Sequence, residues 1–382
     1  MKATKILVKF EMESDDIINF DSSHQKQMYI GTDQENKMTM DKPNASQWAK
    51  DKKTDNVTYG KKVFEMNGDQ LEWVTKIASN CIRHAIFEDD IPFQTPNLTH
   101  SPAVYAAFIA SPMAILRGYQ FTEKGQDENV KKSPVCVTAA KQINNAQSHL
   151  EINTRSGKKT QNPDEADNTM FYKETAGYLK YEGHAVLDLN LLQFMSFDQI
   201  FNRYSFNPDM FPIFKSILQT KLPNFNSELG YYQIESSQVR IPEYGFMFSD
   251  ENMVFLAKEF LTRLATANIF RKDACGRITK VQYLICYDSI EHTFNTESGW
   301  VTIKTKEDIN TLNFEPQHFY QLEDFDQSLQ KRTEIEIECE RRRKGKKEAK
   351  DLENKNKAEA KAKKKAEAEA EKAKLVPTEI PA

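Results

Sequence analysis

No run of about 18 uncharged apolar residues occurs in the 382 residues, so no membrane-spanning helix is expected. Cysteine is scarce and unpaired in pattern. The five (Cys81, Cys136, Cys275, Cys286, Cys339) are odd in number, widely spaced and contain no CxxC, which argues against a disulfide framework or a structural zinc cluster. There is no GxGxxG, GxSxG, HExxH or EF-hand loop. Gly157-Lys158-Lys159-Thr160 has the end of a P-loop, but Ile152 stands where its first glycine belongs. The histidines are scattered, and Cys81 with His84 has no second pair to complete a metal site. No general acid–base constellation and no cofactor site is visible, and the chain is expected not to be an enzyme.

An excess of one charge is also missing. The 52 Lys and Arg against 56 Asp and Glu leave a formal charge of −4, which excludes a uniformly cationic nucleic-acid coat. The balance hides an asymmetry. From Lys331 onward there are 17 basic and 12 acidic residues and no aromatic, whereas all 24 Phe, 14 Tyr and 3 Trp lie earlier. Two parts are therefore expected: an acidic, aromatic-rich body over residues 1–330 and a Lys/Glu/Ala-rich tail over 331–382. The tail has no sustained apolar stripe, so it reads as solvated and partly helical, with polyelectrolyte attraction to nucleic acid as the sharper alternative. Met1–Phe10 mixes charge with apolar residues and lacks a signal-peptide core, which points to a soluble cytoplasmic protein.

Within the body, Ile6, Val8, Phe10 and Met12 alternate with charged residues, the period of a half-buried strand. A helix is expected from Asn67 through Ala85, on Leu71, Val74, Ile77, Cys81 and Ile82. Ser101-Pro102 and Ser111-Pro112 each start a helix, Ser as N-cap and Pro in the first turn. Strands are expected at 134–138, 150–154 and 185–191. Phe197 to Leu222 reads as one or two helices, a helix follows Ser249, and a last strand covers Ile278–Tyr287. Two polar excursions, at about 24–62 and 155–168, interrupt this order. Without them the order is βαββαβ, an α+β class with the ferredoxin-like core also used by RNA-recognition domains.

The basic residues best placed to meet phosphate lie on loops and excursions. They are Arg83, Arg117, Lys141, Arg155, Lys158, Lys159, Arg271 and Lys272. Tyr119, beside Arg117, stacks on a base or belongs to the core; both readings stay open. Asp15, Asp16 and Asp21 cluster at the exit of the first strand, as a solvated turn or as ligands of a divalent metal.

The opening strand leaving through Ile17-Ile18-Asn19-Phe20-Asp21-Ser22, and the block SPAVYAAFIASPMAILRGY from Ser101 to Tyr119, resemble backbone subunits of CRISPR surveillance complexes. These belong to the RAMP superfamily, and the second block is most similar to the type I-F variant. The resemblance implies a modified RNA-recognition fold with finger-like and thumb-like insertions. It also implies copies polymerised head to tail along the spacer of a guide RNA, capped by other complex subunits, with the guide displayed for pairing to target DNA. The rival expectation is a metal-dependent ribonuclease on the same fold, using Asp15, Asp16 or Asp21.

Overall fold

The computed structural model describes residues 1–20, 30–32, 38–40, 57–58, 60–67, 70–88, 102–121, 129–158, 166–198, 204–205, 207–234, 241–270, 274–287 and 292–374. Strand β1 (Ala3–Ser14) buries Ile6, Val8, Phe10 and Met12 on one face, as its alternation requires. The first excursion contains a hairpin of β2 (Ile30–Thr32) and β3 (Met38–Met40), then β4 (Val57–Thr58). β5 (Lys62–Asn67) and β6 (Gln70–Ile77) pair in register, with Asn67 opposite Gln70.

That hairpin corrects the helix expected from Asn67. Leu71, Val74 and Ile77 fit a helical face, but an Asn-Gly step flanked by strand-forming residues is a hairpin signal, and the ladder to β5 prevails. Only Ser79–Ile86 is helical, and it forms α1.

Helices α2 (Pro102–Ile109) and α3 (Pro112–Arg117) begin at the two Ser-Pro pairs. The Ser111 hydroxyl accepts from the Ala114 amide at 3.1 Å. α3 stops at Gly118, whose φ of 69° suits glycine. A Cβ there would lie 2.5 Å from the Lys131 carbonyl oxygen and 2.6 Å from the Ser133 nitrogen. The following hairpin joins β7 (Tyr119–Phe121) to β8 (Asn129–Lys131), and short strands β9 (Val135–Val137) and β10 (Ala140–Gln142) lead to the second excursion.

That excursion is a ribbon of β11 (Ser148–Lys158) and β12 (Ala166–Ala176), each 11 residues long. β4 adds to β12 in parallel. β13 (Leu179–Asp188) ends earlier than expected. The Asp188 carboxylate accepts from the Leu191 amide at 3.0 Å and caps α4 (Leu189–Gln193), so the backbone turns away from the sheet. β14 (Phe194–Ser196), α5 (Phe211–Lys221), β15 (Gly230–Ile234) and β16 (Glu243–Met247) follow. Next come α6 (Asp250–Thr266), β17 (Asn268–Phe270), β18 (Cys275–Tyr287), β19 (Val301–Ile303) and α7 (Lys306–Asn310). β20 (Tyr320–Leu322) and α8 (Phe325–Lys374) complete the order.

The chain divides into two compact units. In the first, residues 1–229 and 244–319, the main sheet runs β17-β18-β1-β13-β10-β6-β5, with β19 on β18 and β9 on β13. Its centre, β18-β1-β13 with β9 and β10, is antiparallel throughout, with the strand order of a split βαβ fold. Helix α6 buries Met253, Leu256, Phe260, Leu261 and Leu264 in the core that also covers the apolar face of β1. Each such side chain contributes roughly 1.5–3 kcal/mol by leaving water. In β13, Gly183 admits the Phe10 ring; a Cβ there would lie 2.4 Å from Phe10 Cζ. The second unit, residues 230–243 and 320–382, pairs β15 with β20 and places Phe325 against Tyr231 at 5.0 Å. Arg332 stacks over Tyr231 and donates to the Pro242 carbonyl at 3.4 Å.

Two carboxylates anchor the root of the β11–β12 ribbon. Asp16 Oδ1 accepts from the Ala176 amide at 2.8 Å and the Ile17 amide at 2.7 Å, while its other oxygen pairs with Lys173 at 3.5 Å. Buried Glu174 accepts from the Gly60 amide at 2.9 Å, and Lys62 and Ser148 also donate to it. One buried cation has no such carboxylate partner among the described residues. Lys131 is 6% exposed, donates only at 3.5 Å to the Leu191 carbonyl, and desolvation lowers its pKa from 10.5 to about 8.

Three outcomes are expected. Gly118→Ala forces a side chain into backbone at positive φ and costs at least about 2 kcal/mol in denaturant unfolding. Asp16→Ala leaves two amides without their acceptor and costs about 2–4 kcal/mol by the same measurement. For Lys131 the folded pKa lies below the unfolded one, so the native state binds fewer protons between pH 8 and 10.5 and stability rises with pH across that window. Lys131→Met removes a penalty of about 3 kcal/mol at pH 7 and flattens that rise; a steeper pH dependence in the variant overturns this.

Candidate nucleic-acid interface

Arg83 and Arg117, 34 positions apart in sequence, meet at the ends of α1 and α3. Each lies in the last turn of its helix, and an Arg83 Nη2 hydrogen donates to the Arg117 carbonyl. Gly118 terminates α3 at the point that leaves this carbonyl for Arg83 rather than for a further helical turn. Both guanidiniums are half-buried. Desolvation lowers the Arg83 pKa, opposed by Cys136 of the edge strand β9. Desolvation also lowers that of Arg117, and the Arg83 charge lowers it further. The Arg83 Nε is buried with no hydrogen-bond partner among the described residues. Two like charges crowded in reduced dielectric favour an anion with several acceptor oxygens, and a phosphate answers that description.

Lys141 occupies a different place, the open face of the main sheet. It is exposed on β10 and stands opposite Glu182 of β13 on one side and Lys76 of β6 on the other. Across the same face Lys280 pairs with Glu11 at 2.5 Å, Lys180 with Glu13 at 3.4 Å, and His184 lies 3.7 Å from Glu182. Glu11 and Glu13 on this face are thus matched to neighbouring lysines. Hydrogen bonds from Tyr178 and Lys180 hold Glu13 below the usual carboxylate range. Lys9, on the next row, lies 4.5 Å from the centre of the Trp300 ring, and Phe294 packs on His184 at 4.4 Å. Burial lowers the His184 pKa. Residues 292–303 therefore cover part of the face on which RNA-recognition domains stack bases.

Lys9, Lys76 and Lys280 are not among the candidate phosphate contacts that the sequence singles out. Their signal is present as alternation with Val8, Ile77 and Val281, but which strands lie side by side decides that they share one face.

Tyr119 resolves to the core. Its ring is 7% exposed, its hydroxyl donates to the Ser205 carbonyl at 3.2 Å, and burial raises its pKa well above the ordinary tyrosine value. It packs edge-on to Phe108 at 6.1 Å and offers no stacking surface. Arg155 and Lys158 lie on the ribbon strand β11, opposite Thr169 and Ala166. Lys159, Arg271 and Lys272 lie outside the described residues.

The carboxylates considered for ribonuclease chemistry serve the backbone. Asp15 accepts from the Cys275 amide at 2.8 Å, and Asp16 holds the ribbon root. Asp21 lies outside the described residues. Among the described residues no three His, Cys, Asp or Glu side chains converge as a metal site, and no helix is long and apolar enough to cross a membrane.

Comparison with known proteins completes the description. A chain of a solved CRISPR RNA-guided surveillance complex is similar at 10% identity and a TM-score of 0.33, covering 76% of this chain and 73% of that one. A pre-nicking form of such a complex is similar at 9% identity and a TM-score of 0.34, covering 75% and 79%. A type IV-B CRISPR complex is similar at 7% identity and 0.29, covering 76% and 95%. No curated protein matches the sequence. The family described as type I-Fv CRISPR-associated protein Cas7fv-like matches residues 6–323, which span β1 through β20. The chain belongs to the Cas7fv-like family of type I-Fv CRISPR-associated proteins.

Proposed function

We propose that the protein is a non-catalytic backbone subunit of a cytoplasmic CRISPR complex, binding a guide RNA through its phosphates and presenting the bases to target DNA. Copies pack head to tail along the spacer, and other complex subunits cap the filament. Family membership supports the complex, and the Arg83–Arg117 pair carries the assignment of an RNA-contacting site. Desolvated, mutually repelling guanidiniums are stabilised by a polyanion and recognise no particular base. Base pairing then supplies the sequence reading, which suits a site that addresses backbone alone. The β11–β12 ribbon, with Arg155 and Lys158, is a second contact, and Lys141, Lys159, Arg271 and Lys272 are further contacts. Tyr119 is not among them.

Two variants test the reading: Arg83→Gln with Arg117→Gln, and Arg155→Gln with Lys158→Gln and Lys159→Gln. Each is expected to weaken binding of a guide-length RNA and to lower the salt slope by about 0.7 for every phosphate that is no longer neutralised. Thermal melts check that both variants remain folded. Unchanged affinity and slope in both would sink the proposed RNA-binding residues.

A further inference from the structure

The match to the family ends at residue 323, and α8 begins at Phe325. The helix is 50 residues long, or about 75 Å. Its first turns dock within the second unit, where Ser328 is buried. From Arg341 on, every residue whose exposure is described is exposed.

The charges along this helix are not evenly distributed around it. At 100° per residue, Arg343, Lys346, Lys347, Lys350 and Lys357 fall within a sector of about 100°. No Asp or Glu from Glu338 to Lys357 falls in that sector, and Asn354 takes the intervening position. The acids lie outside it, on the flanks and the far side. There Glu338 pairs with Arg342 at 2.9 Å and with Arg341 at 3.6 Å, and Glu353 reaches Lys357 one turn on. Such exposed pairs support the helix weakly and exchange readily for a stronger anion.

From this placement we infer that α8 is a polyanion-binding arm whose cationic stripe lies along the phosphodiester backbone of a nucleic acid. The stripe runs about 21 Å from Arg343 to Lys357, with a cation at most turns. It takes the positions that an apolar seam holds in a coiled coil, so two copies of α8 repel along it. Glu11 and Glu13 on the open sheet face of a second copy are already matched by Lys280 and Lys180, which favours phosphate over the acidic body. The inference stands independently of the guide-RNA site, because α8 shares no residue with it.

The test uses the full chain with Arg343, Lys346, Lys347, Lys350 and Lys357 changed to Gln. A control changes five cations off the stripe to Gln: Arg341, Arg342, Lys344, Lys355 and Lys363. Gln keeps helix propensity, and circular dichroism checks the helix in both variants. Binding of labelled duplex DNA, single-stranded DNA and RNA is measured across a salt series, and the three arms distinguish the source of the phosphates. The stripe variant is expected to lose at least tenfold in affinity for one of these at about 0.15 M salt, with a slope lower by about 3–4. The control should lose less than half of that slope, and a variant with Arg at the four lysine positions should keep binding. Equal losses in both Gln variants would reduce the effect to net charge and overturn the stripe. Unchanged affinity, or a loss confined to self-association of the protein, overturns the nucleic-acid assignment.

Discussion

The structure depends on β1 being hydrogen-bonded along both edges. Lys5 through Ser14 pair with β13, and Ala3 through Ser14 pair with β18, so a strand with two chemically different faces is held at the middle of the sheet. Ile6, Val8, Phe10 and Met12 must then be covered, and α6 helps to build the core that covers them. Lys9, Glu11 and Glu13 must remain on the opposite face, where water and counter-charges satisfy them. A shift of one residue would exchange the two sets, which fixes the register more firmly than any single hydrogen bond could. The Gly183–Phe10 contact reinforces it, since no larger residue fits at that crossing.

From β1 the chain passes directly into the carboxylates that position the ribbon. Asp16 follows the strand by two residues and holds backbone amides on both sides of the junction. An acidic group ordinarily weakens the attraction of a nearby surface for phosphate. Here Lys173 neutralises it at the root, as Lys62 does for Glu174. The open sheet face follows the same logic, with Glu11 and Glu13 matched to adjacent lysines. An acidic body can therefore retain local anion-binding positions, because short-range pairing governs the potential near a surface more than distant net charge does.

Arg83 and Arg117 are both marked by the sequence as basic residues near helix ends, but nothing local says that they meet. Their contact depends on α3 stopping at Gly118, on α1 being short, and on the core that packs beneath both. The shortness of α1 is itself a consequence of β6 pairing with β5, which an apolar spacing compatible with either element could not decide. Tyr119 shows the same limit. Its neighbours in sequence leave a stacking platform and a core position both open, whereas Phe108 and Ser205 enclose it, the latter remote in sequence.

Features set by short-range physics were legible from the residues alone: the alternation of β1 and β18, the Ser111 cap, the apolar stripe of α6, and the Lys/Glu/Ala composition of the tail. Each depends on periodicity or on hydrogen bonds spanning a few positions. The 3.6-residue placement of Arg343, Lys350 and Lys357 belongs to that class too, once the backbone is helical. Tertiary structure alone decided which lysines share the open face, which carboxylates are consumed as backbone acceptors, and which two arginines crowd together. Those properties arise from desolvation and through-space charge, and both are set by neighbours that are close only after the chain has folded.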